Sequence, residues 1–226
     1  MIHNVNNVLD FDKFLNVFKE NKTKEYINKY PTVHEQDWPA LDIIQPNLKD
    51  GPWIAGGSCL KWYQGQPVNM SDIDVFFRDA FQMRRVMNRI EDTKRFHIKH
   101  RSKNAVTYDY STPIESIEET STVFTIQLIQ HSYFNSAQEV IDKFDFSVCQ
   151  VATCGEEWIL GEHTAKDIRT RSLRAVGEIK GDVAKRLTKY WVYGYRPVDG
   201  LMNDIISNPN TRYKFSQDED YNNVFQ

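Results

Sequence analysis

WIAGGSCLKWYQGQPVNMSDIDVFF, residues 53–77, is the stretch whose reading decides the fold. Pro52 to Ala55 reads as a short buried strand. Gly56-Gly57 is a turn, Ser58 to Tyr63 a short helix, and Gly65 with Pro67 ends it in a loop. Without a Cβ at Gly56 or Gly57, an anion can come close to the backbone. The amide groups that open the following helix, together with the Ser58 hydroxyl, can then hold it. Asp72-Ile73-Asp74, separated from Ser58 by thirteen residues, opens a second strand. A two-residue period sends Asp72 and Asp74 to one face and Ile73 and Val75 to the core. Two adjacent carboxylates repel each other unless a cation lies between them. Mg²⁺ suits that place, because it takes hard oxygen ligands, keeps some waters and binds phosphates. Two such ions ~3.5–4 Å apart can activate a hydroxyl and stabilise a leaving pyrophosphate, and Mn²⁺ is an acceptable substitute.

Outward from this segment the chain is ordinary in bulk. It has 226 residues, 40 % hydrophobic and 26 % charged, with a formal net charge of −3. That suits one good core with a modest appendage. No run approaches the ~20 apolar residues of a bilayer span. The opening MIHNVNNVLDFDKF has no basic patch before an apolar run, so no signal peptide is expected. Cys59, Cys149 and Cys154 are too few and too irregular for a disulfide framework or a zinc site, which points to a reducing, cytoplasmic setting. Charge is uneven. Lys94 to Lys103 and Lys166 to Arg196 are locally basic, whereas the tail SQDEDYNN is acidic and polar. A basic strip on a near-neutral protein fits a substrate that is anionic at one place, and it equally fits a solvated face.

Helical spacing is present at Phe11, Phe14, Leu15 and Phe18, and again at Met83, Val86, Met87 and Ile90. Strands are expected at Phe96–Lys99, Ala105–Tyr108, Val123–Gln130 and Trp158–Leu160. Ala137 to Phe144 suggests a short helix feeding FDFSVCQVA. A helix from about Gly181 to Tyr195 carries Val183, Leu187, Tyr190 and Trp191 on one face. Residues 1–160, with 1–50 as a lead-in, form the expected main domain, and 161–226 a helical extension with a polar tail. A third carboxylate is expected at Asp145, between two phenylalanines, where burial demands a partner such as a metal. Glu139, Asp142 and Asp109 are the alternatives. Lys185 and Lys189 are the expected cations for a triphosphate. Tyr190, Trp191, Tyr193 and Tyr195 read as core, with base stacking the alternative.

The glycine turn, the spacer and the Asp-x-Asp between apolar residues resemble the signature of polymerase-β-like nucleotidyltransferases. GGSCLKWYQGQP followed by DID is further similar to the opening of CCA-adding enzymes and bacterial poly(A) polymerases. FDFSVCQVA and the run from Asp167 to Gly177 are similar to two later motifs of that family, in the same order. Leu60, Cys149 and Lys185 depart from it: the family has arginine, asparagine and arginine there. The loss at Lys185 removes the planar fork that reads a base edge.

The resemblance implies an α+β fold: a mixed, mostly antiparallel sheet with flanking helices and a short helical C-terminal extension. It implies transfer of a nucleoside monophosphate from an NTP to a hydroxyl, with release of pyrophosphate. Asp72, Asp74 and Asp145 would be catalytic and metal-binding residues. Gly56, Gly57, Ser58, Lys185 and Lys189 would bind ATP or another NTP. The expected acceptor is an RNA 3′ end. A protein or small-molecule acceptor, or a non-catalytic nucleotide- or RNA-binding module, is the alternative.

Overall fold

The strand–turn–helix unit read at Gly56 forms as expected: β1 (Trp53–Ala55) runs through the turn into α2 (Gly57–Tyr63). The computed structural model describes residues 39–66, 72–110, 124–177, 183–198 and 200–202. All of these lie in one compact unit, His34–Gln226. The helix expected at Phe11–Phe18 and the acidic tail lie outside the described residues. A short helix α1 (Pro39–Ile44) precedes β1.

Seven strands make the main sheet: β1, β2 (Asp72–Phe77), β3 (Phe96–Arg101), β4 (Ala105–Tyr110), β5 (Thr125–Tyr133), β6 (Val151–Thr153) and β7 (Trp158–Leu160). Their order is β3-β4-β5-β2-β1-β6-β7. Only β2 and β5 run parallel; every other neighbouring pair in this sheet is antiparallel. This is the mixed, mostly antiparallel sheet expected from the sequence. In β2, Ile73, Val75 and Phe77 are buried, while Asp72 and Asp74 share the other face. Register carries that polar face outward. Asp72 pairs with Thr125, Thr125 with Asp109 and Asp109 with His97, while Asp74 leads through Gln127 and Thr107 to His100.

Helix α3 (Ala80–Asp92) starts where the Asp79 carboxylate accepts the Gln82 amide at 2.7 Å, an N-cap that satisfies an otherwise orphaned donor. It buries Met83, Val86 and Ile90 in one core with Ile73, Val75, Ile126 and Leu128. A second cluster joins Trp53 and Ala55 to α4 (Ala137–Ile141) through Val140 and Ile141.

FDFSVCQVA is neither one strand nor one helix. Phe146 makes a single bridge to Ala175, a 3₁₀ turn spans Ser147–Cys149, and β6 begins only at Val151. The cause is a buried polar knot: the Ser147 hydroxyl donates to Asp167 at 2.7 Å, and Arg174 Nε donates to the same carboxylate at 3.0 Å. Beyond residue 160 the chain forms α5 (Thr164–Thr170), β8 (Ser172–Leu173), α6 (Val183–Val192) and β9 (Arg196–Pro197). A parallel β8–β9 pair accompanies the helices expected for this part. Strands of two residues are too short to leave a period in the sequence. Leu173, Val183, Tyr190 and Tyr195 enter the same core as β2. No helix among the described residues is long and apolar enough to cross a membrane.

Candidate active site

Asp74 projects from β2 toward the glycine turn, with Oδ2 3.7 Å from where a Cβ on Gly56 would stand. Burial, and then the charge of Asp72, push its carboxyl up to about 7, and the Lys189 ammonium offsets part of this. Asp72 is exposed and accepts from Gln127 Nε2 at 3.3 Å. The two acids therefore form a like-charge pair whose inner member is held where ionisation is costly. Among the described residues no three His, Cys, Asp or Glu side chains are grouped to hold a metal. Two carboxylates do fit Mg²⁺, which is commonly held by one or two carboxylates plus substrate phosphates and water.

The turn is shaped for close approach. Gly56 has φ 95°, and a Cβ there would also meet the Phe144 ring at 3.1 Å. Gly57 has no such strain: its Cβ would meet only Lys189 Nζ, at 4.0 Å. Ser58 is 2 % exposed, and its hydroxyl has no nitrogen or oxygen partner. The Cys59 sulfur beside it is a weak one. A buried hydroxyl left this way costs about 1–3 kcal/mol, and a phosphate oxygen would satisfy it. The two glycines thus predict different outcomes. Gly56→Ala should lower stability by about 1–3 kcal/mol through the left-handed φ and the Phe144 contact. Gly57→Ala should melt like the parent but bind NTP several-fold more weakly, because the methyl fills the space under Lys189. Thermal melts and nucleotide titrations of both variants check this.

Helix α6 supplies the cations. Lys189 reaches Gly57 and the field of Asp74. Lys185 is exposed on the same helix. Arg186, one turn before Lys189 on the same face, donates through Nε to Asp145 Oδ2 at 2.9 Å, and its Nη2 bonds the same oxygen. Asp145 thus faces a guanidinium, while its neighbour Phe144 packs its ring on Gly56. The other acids considered are also engaged: Asp109 with Thr125 and Lys99, Glu139 with Asn135, and Asp142 with Gln138. Tyr190 is buried, its hydroxyl 2.6 Å from the Cys149 sulfur, and Tyr195 is buried too. Tyr193 is 42 % exposed. From the sequence Arg186 reads as one more cation beside Lys185 and Lys189 on this helix, and its pairing with Asp145 was not foreseen.

Sheet order, the glycine turn and the β2 acids define the fold of the polymerase-β-like nucleotidyltransferases. Residues 9–171 match the Gabija anti-defense 2 family, and the chain belongs to that family. Among solved structures, it is similar to the Bacillus stearothermophilus CCA-adding enzyme in complex with CTP. That match has 20 % identity and a TM-score of 0.52, covering 75 % of this chain and 42 % of the other. The Thermotoga maritima CCA-adding enzyme complexed with tRNA also matches, at 11 % identity and a TM-score of 0.43, covering 67 % of this chain and 36 % of the other. The chain therefore spans less than half the length of these enzymes. A comparison with curated proteins finds no match.

Proposed function

We propose that the chain is a Mg²⁺-dependent nucleotidyltransferase that moves a nucleoside monophosphate from an NTP to a hydroxyl acceptor and releases pyrophosphate. The observation that carries this reading is the placement of Asp72 and Asp74 on one face of β2, with Asp74 against the Gly56–Gly57 turn and Lys189 over that turn. Asp72 and Asp74 would hold the first ion. When bound, it supplies charge neutralisation at the reacting phosphate and a more acidic acceptor hydroxyl. A second ion would need Asp145, whose carboxylate Arg186 holds in this structure. Ser58 and the turn would seat the phosphates, and Lys189 would offset the charge that develops on pyrophosphate. The segment after residue 160 would thus complete the nucleotide site through α6.

The acceptor reading from the sequence is an RNA 3′ end, consistent with the cations of β3 at the far end of the polar sheet face. A second reading is favoured by family membership: a hydroxyl on a protein or small molecule of the Gabija defence. The test incubates the chain with α-³²P-labelled NTPs and Mg²⁺, in parallel with RNA and with extract from cells carrying a Gabija system. Label in RNA supports the first acceptor, and label in protein or a small molecule the second. No incorporation in any arm overturns the transfer reading and leaves a nucleotide-binding module.

A further inference from the structure

Residues 144–149 touch the glycine turn and α6 together. The Phe144 ring stands 3.1 Å from where a Cβ on Gly56 would be, so it backs the turn. Immediately after it, Asp145 Oδ2 accepts from Arg186 Nε of α6 at 2.9 Å, and Arg186 Nη2 bonds the same oxygen. One helical turn further along α6, the Tyr190 ring packs edge-on against Phe146, 5.7 Å between centres, and its hydroxyl lies 2.6 Å from the Cys149 sulfur. Arg186 and Tyr190 are four residues apart, so they share one face of the helix. Backbone bonds fix the segment in turn. The Val176 amide donates to the Asp145 carbonyl at 2.9 Å, and the Ser147 amide to the Arg174 carbonyl at 3.0 Å. Between the two gripped positions of α6 lies Lys189, whose Nζ stands 4.0 Å from the Cβ position of Gly57.

This grip has an apolar half and a polar half. Phe146, Cys149 and Tyr190 are buried and hold the helix by packing. Packing of apolar surface is non-directional, whereas a guanidinium bonded through two nitrogens to a carboxylate fixes geometry. The pair is only partly buried, with 14 % of the Asp145 side chain and 37 % of Arg186 exposed. Exposed ion pairs add little to stability, so orientation is the larger part of what this one supplies. A divalent ion on Asp145 would also have to face the Arg186 charge. We propose that Asp145 and Arg186 are positioning residues rather than ligands of a second ion. Their ion pair orients α6 so that Lys189 meets the terminal phosphates of a nucleoside triphosphate at the glycine turn. This rests on the nucleotidyltransferase reading above.

The test titrates each of the four NTPs with Mg²⁺, and each corresponding monophosphate, into the full chain and its variants, with melting curves as a fold control. Lys189→Met should weaken NTP binding by about tenfold, the loss of one charge-assisted contact, and leave monophosphate binding unchanged. Asp145→Asn and Arg186→Met should each lose several-fold for NTP. The variant carrying both should lose no more than either, because a double-mutant cycle isolates this pair from anything else Arg186 touches. Added to Lys189→Met, Asp145→Asn should change NTP binding no further, a result that neither a metal ligand nor a general loss of structure would give. Asp145→Asn should also keep the parent's Mg²⁺-dependent rise in melting temperature at pH 8. If Asp145→Asn does not fold, Arg186→Met reads the same contact with and without Lys189. Parent-like NTP binding by Asp145→Asn or by Arg186→Met overturns the assignment. So does a loss that adds to that of Lys189→Met, or a lost Mg²⁺ response, which would return Asp145 to the metal. A parent chain that binds no NTP overturns the nucleotidyltransferase reading itself, an outcome distinct from failure at Asp145 alone.

Discussion

Asp74→Asn will abolish nucleotidyl transfer and, in the same protein, raise the melting temperature of the metal-free chain at pH 8. Both effects come from one carboxylate held in an unfavourable place. Asparagine keeps the shape but cannot carry the charge that a divalent ion needs. Metal-ion stabilisation of the transition state is worth several kcal/mol, and each ~1.4 kcal/mol is a factor of ten in rate, so the loss is on the order of a thousandfold. The stability gain has the opposite sign. Burial and Asp72 raise the Asp74 carboxyl to about 7, so at pH 8 the empty site carries an ionised group it does not favour. The full cost of that ionisation is ~4 kcal/mol, and relaxation and water entry recover part of it. A gain of about 5 °C is expected. Asp72→Asn is the control: Asp72 is exposed, so the same loss of transfer should come with no comparable rise in melting temperature. Transfer that survives either change removes the metal assignment. An unchanged or lower melting temperature for Asp74→Asn removes the desolvation account.

The sequence made this pair legible because everything it needs is local. A two-residue period aims Asp72 and Asp74 together, and the glycine turn lies within a few residues of β1. The alternation of β2 and the helical period of α3 were readable for the same reason. What could not be read depends on contacts across the chain. Arg186 meets Asp145 over a separation of 41 residues, and no local pattern distinguishes Arg186 from Lys185 as the side chain that turns inward. FDFSVCQVA kept its family likeness in sequence, yet its course is set by Ser147, Asp167 and Arg174 closing on one another. The burial of the Ser58 hydroxyl beside the Cys59 sulfur is a property of packing, and so is the inward position of Asp74.

The same carboxyl sets a second expected result, in which stability depends jointly on pH and Mg²⁺. In the unfolded chain Asp74 titrates near its ordinary value of 3.8, and in the folded chain near 7. Between these values the folded state binds more protons than the unfolded one, so the contribution of this group falls as pH rises. It is fully present below about 4, declines through 7 and is flat above. In chelator, the melting temperature of the parent should therefore drop relative to Asp74→Asn across pH 5 to 8, and the two curves should run parallel above pH 8. Mg²⁺ competes with the proton for the same oxygens. It should add nothing at pH 5.5 and stabilise the parent at pH 8, by an amount that grows with the logarithm of its concentration once the site is saturated. Asp74→Asn should show no such response at either pH. Melting curves at three Mg²⁺ concentrations and four pH values separate the possibilities. Equal Mg²⁺ stabilisation at pH 5.5 and 8, or the same response in the variant, would place the bound ion somewhere other than on Asp74.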